Sequence, residues 1–167
     1  MIRAACGQAV LRILVLMQEF DDELFRTDDA ALKTFNDQIV DEFYATGGKV
    51  GGVFEDHTVL LLTTTGAKSG RPRLTPLAYF TVDGRMTVVG SRGGAPKDPA
   101  WVHNLRARPS ARVEAGGADF AVLAEELHGA QRDAVFDEIV SRAPNFGVYQ
   151  SRTSRVIPVF ALERRDG

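Results

Sequence analysis

Cysteine is nearly absent: Cys6 is the only one in 167 residues. That excludes an intramolecular disulfide and leaves no cysteine ligand set for a metal. A free thiol in a reducing cytosol is the plain reading. An excess of either charge is lacking too, with 20 Lys and Arg against 22 Asp and Glu and a net charge of -2. General nucleic-acid binding is therefore not expected. No run is long enough to span a bilayer. The apolar stretch at 9–17 is interrupted by Arg12 and followed by Gln18, Glu19, Phe20, Asp21 and Asp22, which argues against a signal peptide. Peripheral contact of this stretch with a membrane surface stays open, although it lacks a basic polar face. A packed helix, or an extension upstream of a start at Met17, is the simpler reading. There is no internal repeat, no Gly-x-Gly-x-x-Gly fingerprint for a Rossmann site and no serine in a nucleophile elbow.

What is present fits one domain at residues 27–167, preceded by a 1–26 extension or helix whose order the sequence does not fix. Leu32, Phe35, Ile39 and Phe43 recur at helical spacing. Thr27 or Asp28 can cap that helix, and Gly47-Gly48 ends it. Residues 57–65, 73–82 and 85–91 read as strands, the last two joined by Asp83-Gly84, a hairpin signal. Asp98 suits the cap and Pro99 the first turn of a helix running to about residue 107. Strands at 111–115 and 119–127 flank Gly116-Gly117. A helix spans 131–142, a polar loop 145–155, and a last strand 155–163, where Pro158 suggests an edge or a bulge. The expectation is an α+β split β-barrel of about six mostly antiparallel strands with flanking helices.

Two segments carry most of the chemistry. Gly66, Ala67, Lys68, Ser69, Gly70, Arg71 and Arg73 form a glycine-bent turn whose amides, hydroxyl and cations suit phosphate or carboxylate. The spacing is not that of a Walker A loop. On its own, a solvated basic hairpin is an equally good reading. Gly90, Ser91, Arg92, Gly93, Gly94 and Lys97 repeat the same ingredients after another strand, and Arg92 can grip an anion in bidentate fashion. Trp101 and Asn104 share a helix face. Phe146 and Tyr149 either line a pocket or cover the barrel end. His57, His103 and His128 receive no role, and no metal site is expected.

Taken in order, residues 35–52, LLTTTGAKSGRPRLTPL (61–77), SRGGAPKDPAWVHNL (91–105) and YQSRTSRVIPV (149–159) resemble the deazaflavin (F420)-dependent nitroreductase family of split-barrel oxidoreductases. The resemblance covers roughly residues 33–163. It implies coenzyme F420 as cofactor. Lys68, Ser69, Gly70 and Arg73 would hold its phosphate or tail carboxylates. Thr75, Pro76, Leu77, Ala78, Ser91, Arg92, Gly93 and Gly94 would line the ring and ribityl part, and Trp101 and Asn104 would close the groove. Tyr149 would be a substrate-side proton donor, and Ser91 would orient the acceptor. The activity implied is hydride transfer from the reduced deazaflavin to an electron-poor acceptor: a quinone, an enone or a nitro compound. Ala67 departs from the family's usual basic residue at one tail contact, and Ala78, Val102 and Arg152 depart from its usual aromatic residues, which implies a smaller and more basic substrate wall. The alternatives are an FMN-dependent oxidoreductase on the same barrel and a non-catalytic binder of F420 or another amphiphile. A small-molecule acceptor, a cytoplasmic or membrane-associated location, and a monomer or homodimer complete the expectation.

Overall fold

The computed structural model describes residues 22–166, so most of the 1–26 extension, including the apolar stretch at 9–17, lies outside the described residues. Seven strands are ordered β2-β1-β5-β6-β7-β4-β3, and every neighbouring pair is antiparallel. They are β1 (Val59–Thr65), β2 (Pro72–Ala78), β3 (Phe80–Val82), β4 (Arg85–Val89), β5 (Ser110–Ala115), β6 (Ala118–Leu127) and β7 (Val159–Arg165). The helices are α1 (Asp22–Thr27), α2 (Asp29–Thr46), α3 (Ala100–Ala107), α4 (Gly129–Arg142) and α5 (Asn145–Ser151). The two edge strands of the order, β2 and β3, are consecutive in the chain and separated by Tyr79 alone. That connection forces the sheet to roll up on itself, the geometry of a barrel split along one seam.

The expected single strand at 73–82 is thus two strands at opposite edges. Tyr79 leaves the ladder, and its N–H donates to the Thr58 carbonyl at 3.0 Å. The hairpins form as expected. Asp83 and Gly84 have φ of 50° and 76°, and Gly116 and Gly117 have 58° and 77°, as tight two-residue turns require. Three other expectations are corrected. The 145–155 stretch is not all loop, because α5 packs Phe146 into an apolar cluster with Ile139 and Ile157. Asp98 makes no cap on α3, where Pro99 holds the N-cap position without a side-chain bond; its carboxylate is engaged by two arginines instead. Pro158 marks neither edge nor bulge. It immediately precedes β7, which lies between β6 and β4, so its missing N–H costs no ladder bond, and its carbonyl accepts from Gly90 N–H.

The barrel interior is filled by Leu60, Leu62, Val88, Val113, Val122, Phe160 and Leu162, against which Trp101, Val102 and Leu105 of α3 pack. α2 is capped by the Asp28 carboxylate, which accepts from the N–H groups of Ala30 and Ala31. Its Ile39 and Phe43 bury against Val50, Val59 and Leu61 on the other side of β1. Among the described residues no helix is long and apolar enough to cross a membrane.

Candidate functional site

Beside the barrel seam lies a cavity of about 220 Å³. Thr75, Pro76, Leu77 and Ala78 of β2 form one wall, and Ser91, Arg92, Gly93 and Trp101 form another. Phe146 and Tyr149 of α5 close one end, and Phe25 of α1 with Leu32 and Phe35 of α2 cover it. The lining is mostly apolar and aromatic with a few polar groups, which suits a flat ring held by edge contacts.

The 90–98 loop is folded tightly because its neighbours demand it. A Cβ on Gly90 would lie 2.8 Å from both Pro158 Cγ and Val102 Cγ2. A Cβ on Gly94 would lie 2.4 Å from the Tyr149 carbonyl oxygen, and Gly94 has φ of 85°. Only glycine permits either approach. Arg155 holds this loop from behind. Its guanidinium donates to the carbonyls of Ala95 (2.7 Å), Gly90 (3.1 Å) and Ser91 (2.9 Å), and to Asp98 Oδ1 (2.7 Å). Burial pushes the Arg155 pKa down, and Asp98 opposes that shift. Asp98 also takes a bond from Arg106, which pairs in turn with Glu126. The Arg106 guanidinium holds the Glu126 carboxyl below the usual carboxylate range. Sequence reasoning missed Arg155; a fork of five donors following a run of loop residues was the available signal.

Arg92 is not free in the cavity wall. It has φ of 41°, a left-handed conformation rare outside glycine. Its Nε donates to the Phe25 carbonyl at 3.2 Å, and its Nη2 lies 2.8 Å from Asp29 Oδ1 as a close ion pair without aligned hydrogen-bond geometry. The loop is thereby tied to α1 and to the start of α2. The side chain of Asn145 donates to the Tyr149 hydroxyl at 3.1 Å, which leaves the phenolic proton free to point elsewhere. Arg152 lies over the Tyr149 ring at 5.9 Å and donates to the Gly93 carbonyl. Val102 is fully buried in the barrel core and has no part in the wall, whereas Ala78 does line it.

The 66–71 turn lies outside the cavity. Gly66 N–H donates to the Arg71 carbonyl, Gly70 N–H to the Gly66 carbonyl, and Arg71 N–H to Ser69 Oγ. Asn104, buried on α3, pins the turn: its amide donates to Thr64 Oγ1 at 3.0 Å and its carbonyl accepts from Ala67 N–H at 2.9 Å. Asn104 therefore supports the turn and, like Gly94, does not line the cavity. Lys68, Arg71 and Arg73 are exposed, and among the described residues their side chains have no partner. His57, given no role from sequence, stands in the cavity wall. No cluster of three or more potential metal ligands occurs among the described residues.

The residues present fit the cofactor that the resemblance implies. A 220 Å³ cavity accommodates a ring but not a long tail. Lys68, Arg71 and Arg73, without partners among the described residues, lie on the turn outside it. When F420 is bound, Lys68, Ser69, Gly70 and Arg73 would hold the tail, and the walls built by β2 and the 91–93 segment would hold the ring.

The comparisons agree with this geometry. Residues 37–164 match the model of the F420H(2)-dependent quinone reductase family. An F420H(2)-dependent quinone reductase of Mycobacterium tuberculosis is 43% identical over 109 residues, which are 64% of this chain and 73% of the relative. A solved F420-H2 dependent reductase is 40% identical with a TM-score of 0.57, covering 63% of this chain and 93% of that one. A chain solved as a domain-swapped dimer is 34% identical with a TM-score of 0.58, covering 76% and 98%. The heme storage protein of Vibrio cholerae, 16% identical with a TM-score of 0.50 over 77% of this chain and 89% of its own, shares the fold alone. The chain belongs to the F420H(2)-dependent quinone reductase family, and with it to the F420-dependent reductases of the split-barrel fold.

Proposed function

We propose that this protein reduces a quinone-like acceptor with hydride from reduced F420. The observation that carries the reading is the juxtaposition of two features. One is an aromatic, ring-sized cavity walled by Thr75, Leu77, Ser91 and Gly93. The other is a turn whose Lys68, Arg71 and Arg73 have exposed side chains with no partner of their own among the described residues. FMN, whose tail is short, would leave those cations without a task. F420, whose tail carries a phosphate and glutamates, matches them in sign and reach.

Reduced F420 supplies a hydride when bound; the chain supplies position, dryness and polar contacts. Phe25, Phe35, Phe54 and Phe146 keep water from the cavity. The Tyr149 hydroxyl, held by Asn145, donates a hydrogen bond to the acceptor oxygen, and Ser91 orients the acceptor against the ring. Charge developing on that oxygen is stabilised by these fixed dipoles. Enones and nitro compounds are the wider acceptor class that the same chemistry admits.

The test is turnover of reduced F420 with a naphthoquinone by wild type and by Tyr149→Phe, with F420 affinity measured separately. The reading expects wild-type turnover, and in the variant unchanged F420 affinity with kcat/KM lowered roughly tenfold, the loss of about one hydrogen bond to charge. A wild type that binds F420 but reduces no quinone, enone or nitro acceptor would instead be a carrier of the cofactor.

A further inference from the structure

We infer that His57 is the proton donor to the acceptor at this site; the inference rests on the reductase reading above. His57 follows the 3-10 turn Gly52–Phe54, and its backbone N–H donates to the Phe54 carbonyl at 2.9 Å, which fixes where the side chain leaves the main chain. The imidazole is half-buried in the cavity wall. Its ring meets Phe80 at 5.9 Å and Phe146 at 6.5 Å, both edge to face. Phe146 also meets Tyr149 at 5.5 Å, so His57 and Tyr149 flank one phenyl ring at the same end of the cavity. On the reading above, that is the acceptor end.

Among the described residues neither imidazole nitrogen of His57 has a hydrogen-bond partner. A histidine kept only for packing ordinarily finds one for its ring nitrogens. The other charged or titratable groups lining the cavity are Arg92 and Tyr149. Arg92 is held by Asp29 and the Phe25 carbonyl and, as a guanidinium, has no proton to give. β3, packed against His57 through Phe80, carries no ionisable residue, and α5 carries only Tyr149; Glu55 and Asp56 on the same turn are exposed. The Tyr149 hydroxyl already accepts from Asn145, whereas among the described residues both imidazole nitrogens of His57 are unengaged. The roles therefore divide: Tyr149 orients by hydrogen bonding and His57 gives up the proton. In the step, hydride bonds to the quinone, which gains two electrons while the cofactor loses two. Negative charge collects on the quinone oxygen, the imidazolium N–H bond breaks as the O–H bond forms, and solvent reprotonates the imidazole.

The test compares wild type, His57→Gln and His57→Phe, the second keeping the aromatic packing if the first folds poorly. All three should still bind oxidised F420 saturably, since Lys68, Arg71 and Arg73 of the turn are unchanged in both variants. With reduced F420 and a naphthoquinone, both variants should turn over on the order of 10²-fold more slowly than wild type, the usual worth of a general acid, and the pH profile of kcat should differ between wild type and variants. A second readout needs no turnover. In the oxidised-F420 complex, the His57 ring proton resonance, identified among three histidines by its loss in His57→Gln, should move when a naphthol is added as product mimic. Wild-type rates and pH profile in both variants, or a resonance indifferent to the naphthol, would overturn the assignment while leaving the reductase intact. A wild type that binds no F420 would overturn both.

Discussion

At residues 66–71 and at 90–98 the chain places the same ingredients after a strand: glycines, a serine and cations. The first turn keeps its cations in solvent and bonds mainly to itself, with Asn104 of α3 anchoring it. The second is drawn inward until Gly90 and Gly94 touch Pro158, Val102 and α5, and its carbonyls are gathered by Arg155. Its arginine is engaged by Asp29 and Phe25. Like composition therefore produces an exposed charged turn in one place and a rigid wall in the other. Partners, not residue types, decide which charges remain available to a ligand.

The sharpest way to break the contrast is to loosen the wall. Arg155→Met removes bonds to three carbonyls and one of the two arginines that hold Asp98, Arg155 and Asp98 both being mostly buried. The expected loss is about 3 kcal/mol of stability, the scale of breaking a buried ion pair, read from urea unfolding. Arg155→Lys should recover only part of it, because an ammonium cannot reproduce the fork. Gly94→Ala comes next. A methyl 2.4 Å from the Tyr149 carbonyl at a positive φ should cost about 1–3 kcal/mol, and should disturb the Tyr149 end of the cavity before the tail site.

The turn should behave oppositely. Lys68→Ala with Arg73→Ala should leave the melting temperature unchanged, since neither side chain has a partner among the described residues. F420 affinity should fall roughly tenfold or more, on the scale of about 1.5 kcal/mol per lost charge-assisted bond, with a weaker dependence on salt. A calorimetric titration at two ionic strengths reads both effects.

A smaller effect belongs to the network behind the wall. Glu126 has its pKa lowered by Arg106, so its contribution is present above the ordinary glutamate range and is lost as pH falls through its folded-state value. Glu126→Gln should flatten the acid side of the stability profile by about 0.5 kcal/mol, because Arg106 is 40% exposed and its field is screened. Smallest of all, Asp29→Ala should change stability by less than about 0.5 kcal/mol, as Asp29 is 90% exposed.

The periodic and punctuated parts of the fold were legible in the sequence: the Ile39 and Phe43 face of α2, the Asp83-Gly84 and Gly116-Gly117 hairpins, and the glycine turns. What escaped was tertiary. Tyr79 leaves the ladder because two sheet edges must be joined there, and no local preference announces that. Asp98 reads as a cap until Arg155, 57 residues later, claims it. Pro158 reads as the mark of an edge or a bulge until its position one residue before β7 is known. His57 looked idle because the aromatic wall around it is assembled from β3 and α5, far away in the chain. Most of the residues matched by resemblance to the cofactor's ring do line one cavity, whereas the neighbourhood of His57, Phe146 and Tyr149 in its wall comes only from the structure.

The central claim is that the exposed turn and the aromatic cavity together select F420. The most direct measurement is titration of the protein with oxidised F420 and, separately, with FMN, following Trp101 fluorescence and retention on a desalting column. Trp101 is the only tryptophan and lies in the cavity wall. The account predicts saturable F420 binding that weakens with salt, and little response to FMN. Binding of FMN with no response to F420 would contradict it.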